Sequence, residues 1–281
     1  MFVSNLFLIM QFTLHVMETR TKNKEFVFIV ISATFVTLMI SSSVTLQVQA
    51  QSATMKFNET NFHNPLKIDN KYFPLEPGTT MIYNGTSEDG EPTRDVFVVT
   101  NDTKEIFGIS TRVVHDDAYV KDEHEETTDD WFAQDDQGNV WYMGEYTTEL
   151  TKEGSHEGSW EAGVKGATAG IVMEAEPKVG DTYDQEVAKD VAEDKGTILS
   201  LNEKVCVPYG CFSNVLKTED INPLEPDIVE NKYYAQDIGY IKGEMVKGGS
   251  EVETLTQING TGKNNTGLLP VNKTTTQLKP G

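Results

Sequence analysis

The chain has 281 residues, with 23 Lys and Arg against 44 Asp and Glu, a net charge of −21 and 38% hydrophobic residues. A surface so acidic repels phosphate backbones and anionic lipid head groups, so no nucleic-acid partner is expected. There is no G-x-S-x-G elbow, no phosphate-cradling loop and no dinucleotide fingerprint, so the commonest enzyme classes lack their motifs.

Residues 1–50 carry an export pattern. Arg20, Lys22 and Lys24 precede an apolar run from Phe26 to Ile40, three serines lower its hydrophobicity, and Val48-Gln49-Ala50 ends it with a small-x-Ala site. That order is the one of a secretory signal peptide. The alternative is an uncut N-terminal anchor helix, because Phe26–Leu46 is long enough to span a bilayer. Both readings place the rest of the chain outside the cytoplasmic membrane, with any membrane attachment confined to this segment. Residues 1–16 are apolar yet precede the basic stretch, which makes Met17 the more conventional start. The exported remainder holds 20 basic and 42 acidic residues. Spread along the chain as they are, these acids read as a soluble surface.

Residues 51–70 read as a polar linker. A β domain is expected over 71–258, and the Asn-, Thr- and Gly-rich stretch 259–281 reads as a disordered tail. Within the domain, β-branched and aromatic runs alternate with Gly, Asp, Asn and Pro. Strands are expected at Val96–Val99, Ile109–Val114, Trp131–Ala133, Val140–Met143, Val205–Val207, Val215–Lys217, Val229–Tyr234 and Ile238–Ile241. One hairpin turns near Lys121-Asp122-Glu123. A second spans Trp131–Tyr142, with Asp135, Asp136 and Gly138 supplying the turn. The Gly-rich stretch Gly154–Gly170 is either a binding loop or an irregular strand crossing. Asp184–Glu193 could form a helical turn, but strand is the expectation. Helical periodicity is weak throughout. The fold class is therefore all-β, a curved antiparallel sheet or half-barrel meander behind an N-terminal signal or anchor helix.

Cys206 and Cys211 flank Pro208-Tyr209-Gly210, a turn signal. A tight turn brings them to bonding distance, and the exterior is oxidising, so a structural disulfide is expected. Six Asn-x-Ser/Thr sequons, at Asn58, Asn84, Asn101, Asn259, Asn264 and Asn272, are compatible with glycosylation.

Several blocks resemble a family of exported bacterial and archaeal proteins without an established activity. They are YFPLEPGTTMIY at 72–83, DDWFAQDDQGNVWYMGE at 129–145, GSWEAGVKGATAGIVM at 158–173, VPYGCF at 207–212 and PLEPDIVENKYYAQDIGYIK at 223–242. Met81 stands where such sequences often carry Trp, and Cys211 where they often carry Thr. The VP-x-G-x-F and YYA-x-x-IG pieces also resemble lipoprotein-carrier-like half-barrels. The resemblance implies a curved antiparallel sheet with an apolar concave face, and it implies no catalytic residues. Asp135 to Trp141 further resembles an Asp-box, a structural hairpin.

Chemistry-bearing clusters are few. His115, Asp116, Asp117, Asp122, Glu123, His124, Glu125 and Glu126 crowd one hairpin, but the expected register sets His115 opposite Asp129 and His124 near Val120, too far apart for joint ligation. Asp135, Asp136, Gln137 and Asn139 read as turn residues before they read as calcium ligands. Glu145, Glu161, Glu174 and Glu176, near Trp141 and Trp160, are conceivable glycan-cleaving carboxylates. No metal and no cofactor is expected. The leading expectation is a non-enzymatic extracytoplasmic binding protein. Its aromatic residues Trp131, Trp141, Tyr142 and Trp160 would meet an apolar ligand or an envelope protein partner. The alternatives are a cell-surface structural protein and a surface-glycan hydrolase.

Overall fold

The computed structural model describes residues 55–151 and 155–260. The signal segment, most of the tail and the sequons at Asn264 and Asn272 lie outside them.

Fourteen strands follow one another: β1 (Thr80–Thr86), β2 (Pro92–Ile106), β3 (Ile109–Val120), β4 (Glu123–Gln134), β5 (Val140–Glu149), β6 (Trp160–Glu161), β7 (Thr168–Met173), β8 (Thr182–Asp184), β9 (Glu186–Val187), β10 (Lys195–Val207), β11 (Gly210–Ile221), β12 (Val229–Ala235), β13 (Gly239–Lys247) and β14 (Val252–Asn259). Every expected strand falls inside one of these, except that Ile238 belongs to the turn before β13. The Asp184–Glu193 stretch is extended, as expected, through β8, β9 and a bridge between Ala188 and Ala192. From residue 155 the Gly-rich stretch is an irregular crossing that carries the short strand β6 and enters β7 at Thr168.

Turn chemistry sets the register. Lys121 and Asp122 both take positive φ, 53° and 66°, and join Val120 to Glu123 as a two-residue hairpin. Such turns twist with the strands they connect. Pro208-Tyr209 joins Val207 to Gly210 and brings Cys206 opposite Cys211, which are disulfide-bonded. In the hairpin tip at 135–138, Asp135 accepts from the amides of Gln137 and Asn139, from the Asn139 side chain and from Trp141 Nε1 at 3.0 Å. Its oxygens are thereby committed to the turn.

All neighbouring strands pair antiparallel, in the order β10-β11-β12-β13-β14-β1-β2-β3-β4-β5-β7. The two ends of this sheet meet on one stretch of chain. β8 pairs with β10, and β9, two residues on, pairs with β7. Gln185 is the joint, its amide donating to Asp194 O at 2.7 Å. The curved sheet is thus a nearly closed barrel. Glycines make the joint possible, since a Cβ on Gly170 would lie 2.1 Å from Gln185 O.

The stretch read as a linker up to residue 70 packs, from residue 55, on the barrel's outer side. Phe57 and Phe62 cover Trp141 at ring distances of 5.4 and 6.3 Å. Asn70 fastens the segment to the hairpin tip, donating to Gly138 O and Glu174 O and accepting from the Tyr72 and Phe73 amides. Met55, Phe57 and Phe62 supply the apolar contacts that a composition-based reading of a polar segment discounts.

Candidate functional site

Alternate residues of a strand share a face, and the barrel's inner face is divided lengthwise. One end is apolar. Phe97 and Val99 on β2, Val114 on β3, Phe132 on β4, Leu216 on β11 and Leu255 on β14 are all buried. The other end, on the same strands, is polar. Asp95, Asp116, Thr128 with Asp130, Thr218 with Asp220, and Glu253 continue those rows.

At the apolar end lies a small cavity of about 60 Å³. Its walls include Phe73, Phe97, Phe132, Tyr142, Tyr234 and Tyr240. Phe132 stacks on Tyr142 at 4.8 Å, Phe73 meets Phe132 edge-on at 5.4 Å, and Tyr234 and Tyr240 meet at 5.7 Å. The polar members are Gln185 and Lys232. Lys232 Nζ reaches Asp220 at 3.1 Å and Glu230 at 3.5 Å. Gln185 donates to Asp220 at 3.0 Å. An apolar lining with a few converging polar groups is the general form of a ligand pocket.

Beyond the cavity runs a belt of buried carboxyls. Asp95, Asp116, Glu126, Asp130, Glu145, Glu149, Glu186, Asp194 and Asp220 are each less than a tenth exposed. Glu230 and Glu253 join them, while Lys232 and Arg112 are the buried cations among the described residues. Cross-strand register sets acid against acid: Asp130 faces Glu145, Glu126 faces Glu149, and Asp220 faces Glu230. An ionised carboxyl in a dry interior is costly, so carboxyls that bond one another keep a proton between them. The hydrogen bonds require it. The Tyr142 hydroxyl lies 2.5 Å from Asp130 and 2.8 Å from Glu145. One hydroxyl proton serves one acceptor, so the other carboxyl must donate. Asp95 and Glu253 are hydrogen-bonded to each other, as are Glu186 and Asp194. Each such pair holds a shared proton.

Burial pushes Asp95 up to about 7, Asp130 and Asp194 to about 6, and Glu230 to about 7. Burial, with Glu145 beside it, pushes Glu126 to about 8. Asp116, Glu186 and Glu253 rise well above the ordinary carboxylate range for the same reason. Burial works to lower Lys232, but Asp220, Glu230 and Asp194 outweigh it and keep the amine charged.

The structure distributes the sequence-derived candidates widely. Tyr142 lines the cavity. Trp160 is buried edge-on against Tyr142 at 5.4 Å and donates to Glu186. Trp141 lies under Phe57 and Phe62. Trp131 lies under Lys104, whose amine sits 3.2 Å from the ring centre and bonds Glu161 at 2.6 Å. Of the remaining glycan-cleaving candidates, Glu145 is sealed in the belt, Glu174 bonds Asp181, and Glu176 is exposed. Asn58, Asn84, Asn101 and Asn259 are exposed, as a glycosylated asparagine would need to be. Phe97, Phe132, Tyr234, Tyr240 and Lys232 were not singled out, although their alternation at 95/97/99 and 232/234 is visible in the sequence.

The acidic hairpin departs from its expected geometry. His115 does face Asp129, as the register predicts. His124, however, faces Tyr119 across a bulge after Ala118, and both histidines reach Asp117 Oδ1, His115 at 3.4 Å and His124 at 2.9 Å. Side chains on one face of a hairpin converge over several residues, which a count along the strand does not show. Even so, no group of three His, Cys, Asp or Glu among the described residues is arranged to hold a metal ion.

No protein-family model and no curated protein matches the chain. Two solved structures resemble it. A candidate exported protein with a YmcC-like fold from Bacteroides fragilis is 16% identical, with a TM-score of 0.41, covering 68% of this chain and 99% of the other. A candidate lipoprotein from Parabacteroides distasonis is 11% identical, with a TM-score of 0.37, covering 68% of this chain and 100% of its own.

Proposed function

We propose that this chain is an extracytoplasmic, non-enzymatic binding protein whose barrel cavity takes a small apolar or amphipathic ligand. The observation that carries the reading is the aromatic-walled cavity with Lys232 and Gln185 at its polar side. The export pattern at 1–50 and the motif resemblance to exported half-barrel proteins support the location. The carboxyls that stand in pairs do not favour hydrolysis, because Asp130 and Glu145 are 0% and 1% exposed and sealed behind Tyr142. Native mass spectrometry of the protein purified from its own host tests the reading. A bound small molecule that Phe132→Trp displaces by filling the cavity is the expected result. An empty protein that also takes up no apolar fluorophore overturns it.

A further inference from the structure

The cavity and the carboxyl belt share side chains. Tyr142 gives its ring to the cavity wall and its hydroxyl to Asp130 and Glu145. Lys232 lines the same cavity and holds Asp220 and Glu230. Any change in the belt's charge therefore acts directly on the wall that a ligand touches. We propose that the belt makes ligand binding pH-dependent, closing the cavity wall around its ligand at acid pH and loosening it as pH rises through neutrality. This rests on the binding reading above.

The groups facing the Tyr142 unit are nearly all acids. Asp95 comes from β2 and Asp116 from β3; Glu126 and Asp129 come from β4 and Glu186 from β9. Among the described residues, His115, on the outer face of β3, is the cationic group that acts on Asp130. Both Asp116 carboxyl oxygens are buried and have no hydrogen-bond partner among the described residues. When the belt loses protons, Tyr142 is left between two anions and can donate to only one. The other repels Asp116 and Glu126. On the opposite side, Lys232 already answers Asp220, Glu230 and Asp194 and cannot neutralise all three. Like charges across adjacent strands drive those strands apart. β4 and β5 carry Phe132 and Tyr142, so their separation opens the cavity.

The test uses N-phenyl-1-naphthylamine, an apolar fluorophore that stays uncharged from pH 5 to 8.5. Its affinity for the purified protein is expected to fall by roughly tenfold or more between pH 5.5 and pH 8. Asp130→Asn with Glu145→Gln mimics the protonated pair and is expected to hold affinity nearly level over that range. Near-ultraviolet circular dichroism of the same samples follows the packing of Trp160 and Tyr142 without a probe. It should show a transition between pH 5.5 and 8 in the wild type and none in the double variant. If the double variant does not fold, Tyr142→Phe keeps the ring but removes the link, and it is expected to displace the transition. Level affinity in the wild type, or an undisplaced transition in the variants, overturns the switch. If the fluorophore does not bind at any pH, the binding reading fails, and the dichroism alone then decides whether the belt moves the wall.

Discussion

A chain that buries carboxyls in protonated form must lose stability as pH rises, and the size of that loss can be worked out. Asp95, Glu126, Asp130, Asp194 and Glu230 are pushed up to about 7, 8, 6, 6 and 7. In the unfolded chain these groups titrate near 4. A carboxyl raised on folding stabilises the folded state fully below its unfolded value. That contribution is lost as pH climbs through the folded value, here between about pH 4 and pH 8. At pH 6 the folded protein holds about four protons that the unfolded chain has released. Stability then falls by about 5 kcal/mol per pH unit. For a domain of this size that is a loss of about 10–20 °C in Tm for each unit. Asp69, Asp136 and Glu244 are lowered, chiefly by bonds to Lys67, to His63 and, against burial, to Lys242. They act in the opposite direction, losing stabilisation only as pH falls below about 4. The stability optimum is therefore expected near pH 4–5. Thermal unfolding followed by far-ultraviolet circular dichroism from pH 4 to 8 measures it. A Tm that is level or rising between pH 5 and 8 refutes the protonated interior.

Lys232→Met leaves Asp220 and Glu230 without their cation. A loss of about 3–5 kcal/mol is expected at pH 7, and a smaller one at pH 5, where Glu230, pushed up to about 7, is protonated; urea unfolding at both pH values shows the difference. Gly170→Ala places a methyl against Gln185 O and is expected to open the β7–β9 joint, seen as faster amide exchange at Thr168–Val187 with the β3–β4 hairpin still protected. Asp135→Ala strands the Asn139 amide and the Trp141 indole N–H, at a cost of about 3 kcal/mol in denaturant unfolding. Asp135→Asn, which keeps part of the acceptor set, costs less.

Local chemistry made much of the barrel legible. β-branched and aromatic runs marked the strands. Lys121-Asp122, Asp135–Gly138 and Pro208-Tyr209 marked the turns that fix their register, and the Cys206–Cys211 bond follows from the last of these. Asp135 was readable as a turn residue because its partners lie within six positions of it. The packed segment from residue 55 was not, since its anchors are Trp141, Gly138 and Glu174, far along the chain.

The export pattern, the all-β class, the hairpins and the disulfide are properties of the sequence itself, because each depends on residues close together along the chain. The carboxyl belt and the cavity are not. Glu126, Thr128 and Asp130 visibly alternate onto one face of their strand, and a polar face is ordinarily a solvent face. That assignment reverses only when the chain at 182–187 bonds β10 on one side and β7 on the other, turning an open sheet into a nearly closed barrel. Closure is a contact between segments that no local pattern encodes, and it turns what reads as a soluble acidic surface into a proton-holding interior.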